Sequence, residues 1–296
     1  SLKRDHLGLF AERVESLIAK VRVFGFHFAT MDIRQDSRVH RGVVAELMRR
    51  LGPRTDKDLP FNRYEEVGAT ERLAMLHAVR ELLPLREDVT PMLEKGTARD
   101  TIFSIRAAKL LQDTNGERAV HRYVISNTRD AANVLEVWFL AQCAAIEDRV
   151  IALDIVPLFE TIDDLVGAPE IMDMLYRDPI YTDHLRHRGG FQTIMVGFSD
   201  GTKDGGYVTA NRQIFRAKER LTEVSRRHDV RVAFFDGRGG PPGRGGGNTH
   251  KFYRSLARTI ANEEIHLTVQ GQTISSKYGN RHPARFNVEQ LVSAGM

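Results

Sequence analysis

Three short segments hold the side chains that could do chemistry: residues 157–165, 197–206 and 236–247. Each segment follows an apolar, strand-like run and precedes a helix-like stretch. In parallel α/β proteins such turns lie side by side at the carboxyl ends of the strands, where active sites form. Paired carboxylates in these turns suit a hard divalent cation, whereas the lysine and arginines suit a phosphorylated, anionic substrate.

Two of the carboxylates are candidate metal ligands. Glu160 and Asp200 end successive predicted strands, so we expect them to be close enough to anchor one Mg²⁺ or Mn²⁺ ion that keeps waters and takes substrate oxygens. Each has a simpler alternative, since Glu160 could cap the next helix and Asp200 could be an ordinary turn residue. Asp163 and Asp164 are predicted to be helix caps rather than ligands.

Cationic groups occur in the second and third segments. Lys203 lies in a glycine-flanked turn, where it could meet a phosphate or stabilise an enolate oxygen, although a solvated surface lysine is the alternative. The glycine-rich run 237–247 includes Arg238 and Arg244. Its glycines would let backbone N–H groups approach an anion, and the arginines supply bidentate donors. The Gly-Lys-Ser/Thr ending of a P-loop is absent.

Regular alternation of strand and helix patterns must position these residues. A helix is predicted over 5–20, a strand over 21–33 and a helix from Asp36 or Ser37 to Gly52. Further strands are predicted over 119–126, 150–159, 193–198, 230–235 and 265–269, with helices over 206–228 and 249–261 and a shorter one with Pro169 near its first turn.

These repeated units predict an α/β fold with a parallel sheet, related to the TIM barrel but incomplete, and with a large helical excursion. The alternative is an open doubly wound sheet, which the lack of a dinucleotide fingerprint after the first strand disfavours. We expect three regions: a helix-strand-helix entry (1–53), a helical insertion (54–117) and the β/α barrel units that carry the site (118–296). Polar residues at the strand ends would then converge on the barrel mouth, namely Arg34, Asn127, Glu160, Asp200, Asp236, Arg238 and Gln270.

The net charge and the apolar runs of the chain limit which classes of binding partner are expected. The chain has 296 residues with a net charge of +4, which is mild for a nucleic-acid-binding protein. No apolar run approaches the ~18 residues of a membrane span. We therefore expect neither a nucleic acid nor a membrane as partner. The one cysteine, Cys143, excludes an intrachain disulfide, fits a reducing cytoplasm and is predicted to be a buried core residue.

Several segments, in this order, resemble phosphoenolpyruvate carboxylase: residues 32–37 (Asp-Ile-Arg-Gln-Asp-Ser), 123–126, 157–165, 197–204 and the run 237–247 with Thr249 and His250. The resemblance implies a TIM-barrel-related, cytoplasmic enzyme that is usually a tetramer. That family joins bicarbonate to phosphoenolpyruvate through carboxyphosphate and a metal-bound enolate, giving oxaloacetate and phosphate with Mg²⁺ or Mn²⁺.

The resemblance also implies roles for single residues. Glu160 and Asp200 would hold the metal, and Lys203 would be catalytic. The remaining site residues would bind phosphate or carboxylate, and they are Arg34, Arg238, Arg244, Gly239 and Gly240. The chain departs from the family where Asp236 replaces a usual histidine and Gln272 a usual glutamate. The first departure puts a proton or phosphate role at position 236 in doubt, and the second would alter only supporting contacts.

Family chains are far longer than this one, so we expect an internal fragment that is inactive alone. The upstream Thr-Ala-His-Pro-Thr motif with its essential histidine, and the tail that closes the site and completes the feedback-inhibitor pocket, would lie outside it. Two alternatives stay open. One is another metal-dependent, enolate-forming barrel lyase acting on pyruvate or phosphoenolpyruvate, and the other is an RNA-binding module that uses the Arg-Gly-Gly run.

Overall fold

The computed structural model describes residues 2–85, 87–145, 151–239 and 248–295. For 2, 3, 199–205, 238, 239, 272 and 295 it describes the backbone alone. The strands are β1 (Met31–Asp36), β2 (Val120–Ser126), β3 (Asp154–Phe159), β4 (Phe191–Gly197), β5 (Arg231–Gly239) and β6 (Ile265–Val269). The helices are α1 (Leu2–Asp5), α2 (Ala11–Phe24), α3 (Ser37–Leu51), α4 (Ala69–Arg80), α5 (Thr97–Asn115), α6 (Ala131–Ala144), α7 (Ile162–Arg177), α8 (Pro179–His187), α9 (Ser199–Arg227), α10 (Thr249–Arg254), α11 (Gly271–Tyr278) and α12 (Arg281–Gly295).

The six strands form one sheet in the order β1-β2-β3-β4-β5-β6, and every neighbouring pair is parallel. This confirms the predicted α/β fold with a parallel sheet. A doubly wound sheet reverses its strand order at a switch point. The observed order runs in one direction throughout, so the doubly wound alternative is wrong.

The two faces of the sheet differ in what covers them. Side chains alternate between faces along a strand, and one set packs with the helices in the main core, including Ile125, Phe159 and Phe234. The other set forms a small separate cluster of Val124, Val156, Leu158 and Met195, with Phe235 against it. The helices therefore cover one face, and a residue's position along its strand decides which face it joins.

The helical excursion packs into the same core as the sheet. Within 54–117 the described residues form helices, including α4 and α5, and no strand. Arg72 of α4 is buried and pairs with Glu136 of α6 at 2.6 Å and with Asp130, the cap of α6, at 2.5 Å. These contacts fasten the excursion to the helix that follows β2. The division into three regions stays a prediction.

Several boundaries differ from the sequence-based expectations. The strand predicted over 21–33 is wrong for most of its length, because α2 continues to Phe24 and β1 begins only at Met31. A short apolar run fits a helix and a strand about equally well, and pairing with β2 decides between them. Pro169 lies inside α7 rather than near its first turn. Helix α9 starts at Ser199, with a break at Gly206, where φ is 77°, and α10 ends at Arg254.

Other expectations are confirmed. Asp36 caps α3 by accepting a hydrogen bond from the Arg38 backbone N–H, α3 ends at Leu51 just before Gly52, and β6 spans the predicted residues. Cys143 is buried in the core, and burial raises the pKa of its thiol. Across the described ranges, no helix is both long and apolar enough to cross a membrane.

A buried histidine predicts a pH dependence of stability. His40 of α3 is fully buried, with Nε2 2.9 Å from the Tyr123 hydroxyl. Burial lowers its pKa from 6.5 to about 4, although Asp36 opposes the shift. Between these values the unfolded chain binds the proton and the folded chain does not, so stability is lost as the pH falls below about 6.5.

We expect urea unfolding to show that the parent chain loses about 2 kcal/mol more than His40→Gln between pH 7 and pH 5. His187→Gln is the matched control, because His187 is exposed on α8. Equal losses in the parent chain and in His40→Gln would contradict the assignment.

Candidate functional site

The carboxyl ends of the strands meet at one edge of the sheet. The register pairs Asp36 with Ser126 and Gly197 with Gly237, and Glu160 directly follows the last residue of β3. Active sites of parallel α/β barrels form at this edge. The structure thus brings Arg34, Asn127 and Glu160 to the position that the sequence predicts.

Glu160 is held by groups from two neighbouring strands. Arg34 Nη2 donates to Glu160 Oε1 at 3.2 Å, and the Asn127 backbone N–H donates to Oε2, also at 3.2 Å. Arg34 Nε donates in addition to the Ser126 hydroxyl at 2.7 Å. The side chains of Arg34 and Glu160 are 51% and 25% exposed, so both remain accessible from solvent. A cation and a carboxylate are therefore placed together at the edge.

The structure does not support the alternative that Glu160 caps the next helix. Thr161 is the cap of α7, and its side chain accepts from the Asp164 backbone N–H at 3.2 Å. Asp164 Oδ2 accepts from the Thr161 backbone N–H at 3.0 Å, which confirms Asp164 as a capping residue. Asp163 lies exposed in the first turn of α7. With the cap supplied by Thr161, the Glu160 carboxylate is directed towards Arg34 and Asn127.

Arg129 is a further cation at the edge that the sequence analysis missed. Its Nη1 lies 2.9 Å from Asp164 Oδ1, and its Nε donates to Asn127 Oδ1 at 2.9 Å. It joins the turn after β2 to the start of α7, and about half of its side chain is exposed. Arg129 lies in a strand-to-helix turn, and position near a strand end is the feature by which Arg34 and Arg238 were predicted. The same feature could have identified Arg129.

A second carboxylate near the edge has a structural role. Asp36, the last residue of β1, accepts from the Arg38 guanidinium and from the Arg38 backbone N–H. The hydrogen bond from the guanidinium is the largest of the causes that lower the pKa of Asp36 to about 2. Asp36 is therefore an ionised helix cap near neutral pH rather than a proton donor.

Glycines permit a close approach of the three central strand ends. A Cβ atom at Gly197 would lie 3.0 Å from the Cα atom of Glu160, and one at Gly237 would lie 3.2 Å from the Val196 carbonyl oxygen. Either distance is shorter than an ordinary van der Waals contact. The ends of β3, β4 and β5 can thus pack this tightly only where one of them carries no side chain.

Asp236 does not join the edge, contrary to the expectation from the sequence. Its Oδ1 lies 2.6 Å from Lys218 Nζ of α9, and its Oδ2 accepts from the Tyr253 hydroxyl of α10 at 2.7 Å. It shares its side of β5 with Phe234, which belongs to the core between sheet and helices. The alternation of side chains along the strand turns this carboxylate away from the edge.

The remaining predicted site residues are described in part. Asp200 and Lys203 lie in the first turns of α9, directly after β4, and not in an extended turn. Their side chains, and that of Arg238, are outside what the structure describes. Gly239 ends β5, where it pairs with Val269 of β6. Gly240 and Arg244 lie outside the described residues.

The carboxylate at the carboxyl edge of the sheet suits a divalent cation that binds few protein groups. Among the described side chains, no group of three or more His, Cys, Asp or Glu residues is arranged to hold a metal. Mg²⁺ is usually bound through one or two carboxylates and completes its shell with water and substrate oxygens. Glu160 supplies one such carboxylate, and Asp200 follows the adjacent strand β4. The one carboxylate of this pair whose side chain the structure describes, that of Glu160, is partly exposed and therefore fits a divalent ion.

Comparison with known proteins agrees with the resemblance. A family model described as phosphoenolpyruvate carboxylase matches residues 1–296. Proteins of that name are 35% identical over 97% of this chain in Gloeobacter violaceus, 38% over 95% in an Azoarcus species and 37% over 96% in Rhodothermus marinus. The chain covers 30%, 30% and 31% of the length of these three relatives.

The packing at Gly197 predicts an unequal effect of two glycine substitutions. We expect Gly197→Ala to lower the free energy of unfolding by about 1–3 kcal/mol, because its Cβ would push against the Glu160 backbone. Gly167→Ala in α7 is the matched control, since a Cβ there meets nothing within 4 Å. It should be neutral or stabilise by up to about 1 kcal/mol through its helix propensity. Urea unfolding measures both, and equal effects would exclude the close approach at Gly197.

Proposed function

The chain belongs to the phosphoenolpyruvate carboxylase family, and from this premise we propose that it carries part of the site at which bicarbonate and phosphoenolpyruvate become oxaloacetate and phosphate. The observation that carries the proposal is the placement of Arg34 and Glu160, from different strands, within 3.2 Å at the carboxyl edge of the sheet. A carboxylate beside a guanidinium offers one group for a metal and one for an anionic substrate.

The carboxylation reaction requires negative charge to be stabilised on the phosphoryl and carboxylate groups and on the enolate oxygen. A bicarbonate oxygen attacks the phosphorus, the bond between phosphorus and the enol oxygen breaks, and carboxyphosphate and the enolate of pyruvate result. The enolate carbon then bonds to the carboxyl carbon, and phosphate leaves. We assign the phosphoryl and carboxylate groups to Arg34, Arg238 and Arg244, with the backbone of Gly239 and Gly240, and the developing enolate charge to Lys203.

Glu160 and Asp200 are the residues that would hold the Mg²⁺ or Mn²⁺ ion. When bound there, the ion supplies Lewis-acid stabilisation of charge on substrate oxygens. Arg34 then has two possible partners, because its guanidinium neutralises Glu160 in the structure described and is half-exposed towards solvent. We propose that Arg34 turns from Glu160 to the substrate when Glu160 binds the metal.

The fold supports this assignment at the level of architecture. Six parallel strands in sequential order, with helices on one face, resemble six of the eight strands of a (β/α)₈ barrel. We therefore propose a TIM-barrel-related fold whose mouth is the edge that carries Glu160. The homotetrameric state and the cytoplasmic location that the resemblance implies stay predictions.

Metal dependence of substrate binding follows from the proposed role of Glu160. By calorimetry on this chain, we expect phosphoenolpyruvate to bind more tightly with saturating Mn²⁺ than without it. Glu160→Gln keeps one of the two oxygens that accept from Arg34 and from the Asn127 backbone N–H, and it removes the negative charge. It should weaken Mn²⁺ binding by more than about tenfold, since even residues that only support a ligand are worth that much.

Glu170→Gln is the control for this measurement, because Glu170 is exposed on α7 and pairs with Arg220. It should bind metal and substrate as the parent chain does. Binding that is unaffected by Glu160→Gln would remove Glu160 from the metal site.

Bicarbonate distinguishes a carboxylase from another enolate-forming lyase. In the intact protein that contains this chain, we expect phosphate release from phosphoenolpyruvate to rise with bicarbonate concentration and to be matched by oxaloacetate formation. A coupled assay with bicarbonate-depleted buffer measures this. Phosphate release that is equally fast without bicarbonate would favour the alternative lyase.

A further inference from the structure

We propose that Lys218, Asp236 and Tyr253 form a buried clamp that positions the end of β5, and with it the backbone that carries Arg238. The inference rests on the proposed function, in which Arg238 binds the anionic substrate. It concerns three residues behind the sheet that touch neither metal nor substrate. They are therefore positioning residues.

The clamp is defined by two short contacts to one carboxylate. Lys218 Nζ lies 2.6 Å from Asp236 Oδ1, and the Tyr253 hydroxyl donates to Oδ2 at 2.7 Å. The side chains of Lys218 and Asp236 are each 1% exposed. The ammonium also lies 5.1 Å from the ring centre of Phe234 and 5.3 Å from that of Phe252. The ion pair is thus buried from solvent and lies beside two aromatic rings.

A buried ion pair is poor evidence for stability on its own. Removing two charges from water is costly, and apolar side chains of similar volume are often as stable in their place. What the charge-assisted hydrogen bond from the Tyr253 hydroxyl to Asp236 Oδ2 supplies in addition is direction, because the carboxylate oxygen accepts along a defined line. The location of the pair is therefore the informative feature.

That location joins three elements of the candidate site. Asp236 lies two residues before Arg238 in β5, Lys218 belongs to the part of α9 that follows the break at Gly206, and Tyr253 belongs to α10. From the other side, the Thr268 hydroxyl of β6 donates to the Asp236 carbonyl oxygen at 3.0 Å. The backbone at position 236 is therefore held through both its side chain and its carbonyl group.

Loosening the clamp should weaken substrate binding more than it slows chemistry. A strand end that is no longer held must be ordered each time the substrate binds, and this conformational entropy opposes association. Metal binding at Glu160 should not change, because Glu160 follows β3 and contacts Arg34 and Asn127. The clamp thus predicts a selective rise in KM for phosphoenolpyruvate.

The first test is Tyr253→Phe in the intact protein, which keeps the ring and deletes the hydroxyl. We expect KM for phosphoenolpyruvate to rise several-fold, up to about tenfold, because substrate binding must then supply the order that a hydrogen bond to a charged group had supplied in the free protein. The kcat and the Mn²⁺ concentration for half-maximal activity should stay within about twofold, as expected where binding rather than transition-state stabilisation is lost.

Tyr176→Phe is the matched control. Its hydroxyl is also buried, but it contacts Ser225 of α9, 3.1 Å away, near the end of the helix that is remote from Asp200 and Lys203. Both substitutions should lower the melting temperature, but only Tyr253→Phe should raise KM. If the two variants show the same unchanged KM, the clamp is merely structural and the proposal is wrong.

A second variant avoids leaving a charge unpaired in the core. In Lys218→Met with Asp236→Asn both charges are removed together, so the chain should fold, yet KM should still rise. Wild-type KM in this double variant would overturn the proposal.

Hydrogen exchange provides a readout that does not depend on the reaction. Amides in residues 231–239 should exchange faster in Tyr253→Phe than in Tyr176→Phe. If the parent protein shows no bicarbonate-dependent phosphate release, the proposed function fails, and this comparison still decides the clamp. Equal exchange in the two variants would then overturn it.

Discussion

The close approach of β3, β4 and β5 at their carboxyl ends is the constraint on which the candidate site depends. Because Gly197 has no side chain, the Glu160 backbone can lie where a Cβ atom would be only 3.0 Å away. The pairing of Gly197 with Gly237 extends this close packing to β5. It places Glu160 beside the strand that leads into α9, and therefore beside the turns that contain Asp200 and Lys203. A side chain at position 197 would separate these groups.

Two carboxylates near the carboxyl ends of β3 and β5, on either side of β4, face opposite sides of the sheet. Glu160 lies at the carboxyl edge of the sheet, is partly exposed and forms an ion pair with Arg34. A metal cation can therefore compete with Arg34 for the Glu160 carboxylate. Asp236 faces the helices, is buried and is neutralised by Lys218. The alternation of side chains along a strand produces this separation. The residue that departs from the family pattern thus has its own partner behind the sheet, away from the groups proposed to meet substrate.

The parallel sheet and the gathering of Arg34, Asn127 and Glu160 at its carboxyl edge could be predicted from the sequence, because they follow from local patterns and the geometry of parallel sheets. The orientation of Asp236 could not, since it depends on which face residue 236 joins, and the register shifts between Asp236 and Gly239. From the sequence alone, Lys218 would be expected to be a solvent-exposed lysine on a helix, since its partner Asp236 is distant in sequence. The apolar residues 21–28 suit either a helix or a strand, and most of them are exposed in the structure.

The helical excursion (residues 54–117) helps to position the candidate site by contacting the turn after β2. Asn127 has a φ of 60°, a conformation that most side chains avoid and that persists where surrounding contacts determine it. The Ser37 hydroxyl donates to its carbonyl oxygen at 2.7 Å, and Arg129 donates to its side chain. Arg72 of the excursion holds Asp130 at the end of the same turn. These contacts fix the backbone N–H that Asn127 donates to Glu160, so the region that carries no predicted site residue still determines where the carboxylate lies.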